Sequence, residues 1–212
     1  MTDPFVKQAE KQGLRSRAAF KLREIQERYC LLDKADVVID LGCAPGGWSQ
    51  VVLQTFKDLG KRDGVLVGID LLPVEGLAGA TFIQADFTTD EGQTLLTETL
   101  AGEGRADCVL SDMAPSMLGH RETDHLRTMA LAEQAFMFAY RFLRPGGSFV
   151  VKILQGADQD VFIKQLRGVF GKVVFFKPKA SRKESSEVYV VATAFKGDGS
   201  RGGGARDNEP QG

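Results

Sequence analysis

Short apolar runs that end at or just before an acid recur along this chain. Val37-Val38-Ile39-Asp40-Leu41, Val65-Leu66-Val67-Gly68-Ile69-Asp70 and Ala106-Asp107-Cys108-Val109-Leu110-Ser111-Asp112 are of this kind, and Ala80-Thr81-Phe82-Ile83-Gln84 is followed by Asp86. Nearly continuous apolar runs of this length predict parallel strands covered on both faces. Ser148-Phe149-Val150-Val151-Lys152 predicts a fifth strand, Lys172 to Phe176 a sixth and Glu187 to Ala194 a seventh. Between them the spacing turns helical. Residues 16–29 place Phe20, Leu22, Ile25 and Tyr29 on one side, with Ser16 as N-cap. Further helices are predicted over 47–57, 90–101, 126–143 and 157–168, and Arg144-Pro145-Gly146-Gly147 breaks the third of these. Strand and helix alternate, which predicts an α/β, Rossmann-like, doubly wound fold with right-handed crossovers. The sheet is expected to be seven-stranded and mostly parallel, with helices on both faces. No helical pattern separates the last two strands, so the last one is expected to run antiparallel. Lys177 to Ser186 has the composition of a mobile loop. Residues 197–212, rich in glycine and charge, lack apolar periodicity and read as a disordered tail. One domain over residues 1–196 follows.

Composition narrows the class. The 212 residues are 43% hydrophobic and 26% charged, ordinary for a globular protein. No apolar run is long enough to cross a bilayer and the N-terminus lacks a secretory h-region, so a cytoplasmic protein without membrane contact is expected. Three widely spaced cysteines (Cys30, Cys43, Cys108) read as reduced thiols, and two histidines (His120, His125) make a histidine-rich metal centre implausible. The net charge of −1 does not advertise a nucleic-acid binder, but its distribution does. Lys7, Lys11, Arg15, Arg17, Lys21, Arg23 and Arg28 crowd the first 30 residues, and 172–183 hold Lys172, Lys177, Lys179, Arg182 and Lys183 without an acid. Two such segments can form one positive face; the plain alternative is two solvated surfaces.

The first strand runs into Gly42-Cys43-Ala44-Pro45-Gly46-Gly47-Trp48. Ligands of open α/β sheets bind beyond the carboxyl ends of the strands, where this turn lies. Gly42 and Gly46 let backbone approach a ligand, Pro45 stiffens the turn, and Trp48 offers a flat apolar surface. The spacing is not the Gly-x-Gly-x-x-Gly that brings amides onto a pyrophosphate, which disfavours NAD and FAD. S-adenosylmethionine, a sulfonium without phosphate, suits a looser turn flanked by carboxylates. Asp70 is then placed to accept from ribose hydroxyls and Asp86 to meet the adenine amino group. A single strand-end Asp often only caps a helix; Asp40, Asp70, Asp86 and Asp112 together favour the cofactor.

Five blocks then resemble a known family: Arg15-Ser16-Arg17-Ala18-Ala19-Phe20-Lys21-Leu22, Asp40 to Gln50, Ser111-Asp112-Met113-Ala114-Pro115, Gly146 to Lys152, and Ser186-Glu187-Val188-Tyr189. They are similar to the FtsJ/RrmJ (RlmE-type) ribosomal RNA ribose 2′-O-methyltransferases, over residues 4 to 196. The resemblance implies a class I S-adenosylmethionine-dependent methyltransferase fold and a catalytic tetrad of Lys21, Asp112, Lys152 and Glu187. It implies cofactor contacts at Gly46, Gly47, Trp48, Asp70, Asp86 and Asp112. It also implies a substrate, a uridine in the A-loop of large-subunit (23S) rRNA, within free rRNA or the 50S subunit, and a monomeric enzyme in ribosome maturation. Cys43 stands where the family usually has alanine, and Ser116 to Thr123 depart from its usual loop.

The chemistry asks for these residue types independently. A ribose hydroxyl must lose its proton as it attacks. A lysine takes a proton only when neutral, a form that the nearby cation Lys21 favours. Lys152 as general base, Asp112 orienting it, and Lys21 and Glu187 positioning the ribose is the resulting expectation; Lys152 as a charged stabiliser of an alkoxide is the alternative. RNA phosphates are expected on Arg15, Arg17 and Arg23 and, from the second segment, on Lys179 and Arg182. A small-molecule O-methyltransferase and a non-catalytic RNA-binding module remain as other readings.

Overall fold

The computed structural model describes residues 3–100, 104–115, 118–156, 159–182 and 185–197. Lys183 and most of the glycine-rich tail lie outside them. Seven strands form one sheet in the order β3-β2-β1-β4-β5-β7-β6. These are β1 Val37–Leu41, β2 Val65–Asp70, β3 Ala80–Gln84, β4 Ala106–Ser111, β5 Leu143–Leu154, β6 Phe170–Phe176 and β7 Glu187–Phe195. The first five pair in parallel, and β7 slots antiparallel between β5 and β6. The expected sheet is the observed one.

Helices α2 Ala18–Tyr29 and α3 Gly47–Asp58 pack on one face. Helices α4 Asp90–Thr99, α5 Arg121–Phe142 and α6 Gln159–Val169 pack on the other. The strands serve both faces by strict alternation. Phe149, Val151 and Ile153 join the α4–α6 side, whereas Val150 joins the α2/α3 side; Val190 and Val191 divide the same way. Asp112, Lys152, Glu187 and Tyr189 are all in step with the α2/α3 side. That alternation, set by the apolar pattern of each strand, decides where the polar strand ends gather.

Three local expectations need correction. The residue flanking α2 is Arg17, and Ser16 makes no side-chain cap there; its carbonyl accepts from Ala19 instead. Helix α5 starts five residues earlier than the apolar pattern indicates, because Glu122 and Asp124 favour a first turn and the Asp124 carboxylate takes the Leu118 and Gly119 N–H groups. The Arg144-Pro145-Gly146-Gly147 stretch is the irregular head of β5, with the register shifting between Ala106 and Cys108. A short helix, α1 Pro4–Lys11, precedes the others, capped by Asp3 and started by Pro4.

Candidate active site

The register brings the two lysines and their acids together. Strand β5 lies beside β4, with Ser111 opposite Val151, so Asp112 leaves β4 next to Lys152. Strand β7 lies on the other side of β5, with Tyr189 opposite Lys152 and Glu187 opposite Leu154. From above, α2 lowers Lys21 onto Glu187. Lys21 Nζ is 2.7 Å from Glu187 Oε1, and Lys152 Nζ is 3.1 Å from Asp112 Oδ1. Lys152 Nζ also donates to the Asp112 main-chain oxygen at 2.7 Å. The four expected residues therefore form one cluster, in two ion pairs.

Tyr189 links the pairs. Its hydroxyl donates to Asp112 Oδ1 at 2.5 Å and lies 3.5 Å from Glu187 Oε1. The ring is fully buried, rests against Trp48 and lies beneath the Lys21 ammonium. Burial, with Asp112 and Glu187 adding to it, pushes the Tyr189 hydroxyl well above its usual range, so it stays a donor. Burial alone would raise the Glu187 carboxyl too. The Lys21 ammonium outweighs it, helped by Lys152 and by the Ser181 hydroxyl, and Glu187 ends below the usual carboxylate range. Neither Tyr189 nor Ser181 was assigned a role by the sequence. Period-2 spacing from Glu187 was the available signal for Tyr189; nothing local marks Ser181.

A cleft of about 710 Å³ opens beside this cluster, lined by Gly42, Ala44, Asp70, Leu72, Asp86, Asp112 and Met113, among others. Asp70 ties its two rims: one oxygen accepts the Ala44 N–H at 2.8 Å and the other the Leu72 N–H at 2.8 Å. Asp86 Oδ1 accepts from the Thr88 N–H and hydroxyl. Gly42 has φ +68°, and a Cβ there would sit 2.1 Å from Met113 Cγ, so glycine is what lets the cleft floor close. Beneath lies Asp40, whose carboxyl burial pushes up to about 7; the Ser49 hydroxyl works against this, and Asp112 and Asp70 add to it. Cys43 and Cys108 are buried, and burial pushes both thiols up, the state of inert filler.

Other assigned residues sit differently. The Trp48 indole does not face the cleft. It is 3% exposed, its Nε1 donates to the Ala18 carbonyl, and it forms the floor under Tyr189. Gly46 and Gly47 lie outside the cleft lining, packed against Arg15 and Ser16, where any Cβ would collide. Arg15 is spent on carbonyls of the cofactor-end loops rather than presented to solvent. Arg23 bonds Gln12 and lines a separate groove with Lys57 and Lys61. It lies about 200° around the helix from Lys21, on the opposite side. Arg17, one turn before Lys21, shares its face and pairs with Asp3 and the Ala180 carbonyl.

The two basic segments do meet, joined by acids. Arg182 and Arg17 converge on Asp3, and both Glu24 oxygens accept N–H groups, from Lys179 at 2.7 Å and Ala180 at 2.9 Å. Ala180 is fully buried against Ala9 and Phe20. The described part of the Lys177–Ser186 stretch is thus pinned, not mobile. Lys179 and Arg182 keep their side chains exposed.

The sequence and the fold both match known proteins. The sequence profile of the FtsJ-like methyltransferases matches residues 14–195. The chain belongs to the FtsJ-like methyltransferase family. It is 51% identical over 203 residues to ribosomal RNA large subunit methyltransferase E of Zymomonas mobilis, covering 95% of this chain and 88% of that protein. It is 50% identical over 197 residues to the protein of the same name from Caulobacter vibrioides, covering 93% and 84%. A crystal structure from Plasmodium falciparum, described as a ribosomal RNA methyltransferase, superimposes with a TM-score of 0.76 at 31% identity, over 86% of this chain and 99% of that one. For an FtsJ-like methyltransferase, the cleft and the lysine–carboxylate cluster are the two parts to explain. Among the described residues no group of side chains could hold a metal ion, and no helix is long and apolar enough to cross a membrane.

Proposed function

We propose that this protein transfers a methyl group from S-adenosylmethionine to a ribose 2′-hydroxyl of large-subunit rRNA, on a uridine of the A-loop. The observation that carries this reading is the double position of Asp112. Its side chain borders the cleft and its Oδ1 is the shared acceptor of Lys152 and Tyr189. One carboxylate therefore joins a cofactor-sized cleft to a proton-handling cluster. The relatives named as large-subunit rRNA methyltransferases, about half identical to this chain, support the substrate class.

The cleft's chemistry fits the cofactor. Asp70 and Asp86 retain acceptor capacity for ribose hydroxyls and an adenine amino group, and Ile69, Met113 and Leu131 supply apolar wall for a base. Gly46, Gly47 and Trp48 lie outside the cleft lining and act by shaping the turn behind Ala44. When bound, S-adenosylmethionine supplies an electrophilic methyl group.

Lys152 takes the 2′-hydroxyl proton on Nζ. A neutral amine has two N–H groups, and Asp112 offers two acceptors for them, its Oδ1 and its main-chain oxygen. The lone pair is then left for the incoming hydroxyl. Glu187 and Ser181 hold Lys21 in place, and Lys21 orients the sugar. Arg17, Lys179 and Arg182 take RNA phosphates on the same side. A general base of this kind contributes about 10²–10⁴-fold to rate.

The test is transfer of labelled methyl from S-adenosylmethionine to large subunits or rRNA lacking the modification, followed by mapping of 2′-O-methyl positions. One labelled A-loop uridine is expected. Methylation of small hydroxyl compounds without RNA would favour the small-molecule reading, and label on a base would overturn the 2′-hydroxyl. Lys152→Ala should lose at least a hundredfold in kcat while RNA and cofactor still bind; near-normal turnover would remove Lys152 from the role of base.

A further inference from the structure

Arg15 reads in sequence as an RNA-facing cation, yet its guanidinium is turned onto main-chain carbonyls of the loops that flank the cleft. Nη1 donates to the Pro45 carbonyl at 3.2 Å and to the Glu75 carbonyl at 2.6 Å, and Nη2 donates to the Gly76 carbonyl at 3.0 Å. Pro45 belongs to the glycine turn after β1; Glu75 and Gly76 belong to the loop after β2. These are the two loops that Asp70 joins from within the cleft, through the Ala44 and Leu72 N–H groups. One anion collects N–H groups on the inside, and one cation collects carbonyls on the outside.

The fit is specific. A Cβ on Gly46 would lie 2.9 Å from Arg15 Nη1, so the turn is glycine where the guanidinium crosses it. Arg15 is itself fixed: its N–H donates to Gln50 Oε1 at 2.7 Å, and Gln50 Nε2 donates to the Gly13 carbonyl at 3.1 Å. Its side chain is only 17% exposed, and its ion pair with the solvent-facing Glu75 carboxylate, at 3.9 Å, is the loosest of its contacts. The planar fork matches three carbonyls that a single ammonium cannot reach together.

We propose that Arg15 is a positioning residue for the cofactor, bracing the two loops that flank the cleft. The proposal rests on the methyltransferase reading and goes beyond it. Arg15 immediately precedes the segment leading to Lys21, so the brace also ties the frame of the cofactor cleft to the helix that carries one of the reacting-end lysines.

The test is calorimetric titration with S-adenosylhomocysteine, without RNA, beside RNA binding measured at one salt concentration. Arg15→Ala is expected to weaken S-adenosylhomocysteine by about tenfold, with the loss in turnover falling on KM for the cofactor rather than on kcat. RNA affinity is expected to stay within about twofold. Gln50→Ala should act in the same direction, less strongly. Should Arg15→Ala fail to fold, Arg15→Lys carries the test, because it keeps the charge but loses the fork: weakened S-adenosylhomocysteine with unchanged RNA binding supports the brace. Unchanged S-adenosylhomocysteine affinity, or a loss confined to RNA, overturns it. Wild-type protein that does not bind S-adenosylhomocysteine would overturn the cofactor reading and this inference with it.

Discussion

Tyr189 and Lys152 stand directly opposite each other on antiparallel strands, and both reach the same oxygen, Asp112 Oδ1, at 2.5 and 3.1 Å. The carboxylate is held between a neutral donor and an amine, so its direction does not depend on the amine's charge. In the base role proposed for Lys152, Tyr189 is the second donor that keeps Asp112 in place.

Tyr189→Phe tests this. The ring keeps its packing on Trp48, so folding should change little, while the hydrogen bond to a charged group, worth about 1.5–3 kcal/mol, is lost. We expect kcat to fall by about tenfold or more, with S-adenosylhomocysteine affinity close to wild type. A variant with full kcat would show that Lys152 alone orients Asp112.

The sheet was legible because its strands announce themselves as apolar runs, and the four clustered residues were pointed to by the family resemblance, three of them at strand ends and Lys21 within a helix. Partnerships across the fold were not. Nothing near Arg15 in sequence indicates that its guanidinium meets the carbonyls of Pro45, Glu75 and Gly76, which lie 30 to 61 residues away. Trp48 looked like ligand surface because it follows a glycine turn, but α2 packs over it and takes its indole N–H. Glu24 lies on an amphipathic helix with no local mark of a partner, yet it holds a loop 155 residues later in the chain. Charge counts also misled: several of the basic residues are already paired within the protein, so composition overstates what is free for phosphate.

Asp40 gives a pH signature. Its folded carboxyl titrates near 7, mainly through burial, against 3.8 for the free side chain. The folded state therefore keeps the proton longer than the unfolded chain. The resulting stabilisation is complete below about pH 4 and is lost as pH rises from there through about 7. Asp40→Asn carries no titrating group and can still accept from Ser49. Relative to wild type it should gain stability as pH rises from 5 to 8, read from urea midpoints. A constant difference across that range would mean that Asp40 is not protonated on folding.

Glu187 has the opposite sign. Its folded carboxyl lies below the usual range, with Lys21 and the other donors overcoming burial. That contribution is present above the unfolded carboxylate value and is lost as pH falls through the folded one. Glu187→Gln leaves the Lys21 ammonium, 10% exposed, without its counter-ion. A cost of about 3 kcal/mol at neutral pH is expected, shrinking in acid, together with a lower kcat and unchanged S-adenosylhomocysteine affinity. Wild-type stability at pH 7 would mean that Lys21 finds another partner.

Glu24 decides whether the segment after β6 is a loop in motion or a fixed part of the basic face. Its two oxygens satisfy consecutive N–H groups of Lys179 and Ala180, and Ala180 inserts between Ala9 and Phe20. Composition argues for mobility; two hydrogen bonds to one charged carboxylate and a buried methyl argue against it. Glu24→Ala removes the acceptor of both N–H groups, and the partly buried one, of Ala180, meets water only when the segment lifts. Opening then becomes easier by about 2–4 kcal/mol. Limited trypsin digestion should cut after Lys179 or Arg182 at least about tenfold faster than in wild type. RNA affinity should fall with it, because Lys179 and Arg182 lose their fixed directions, while S-adenosylhomocysteine binding at the far loops is retained. Equal cleavage of the two proteins would mean that the segment already opens freely, and the exposed cations on it would then have to find RNA without help from the fold.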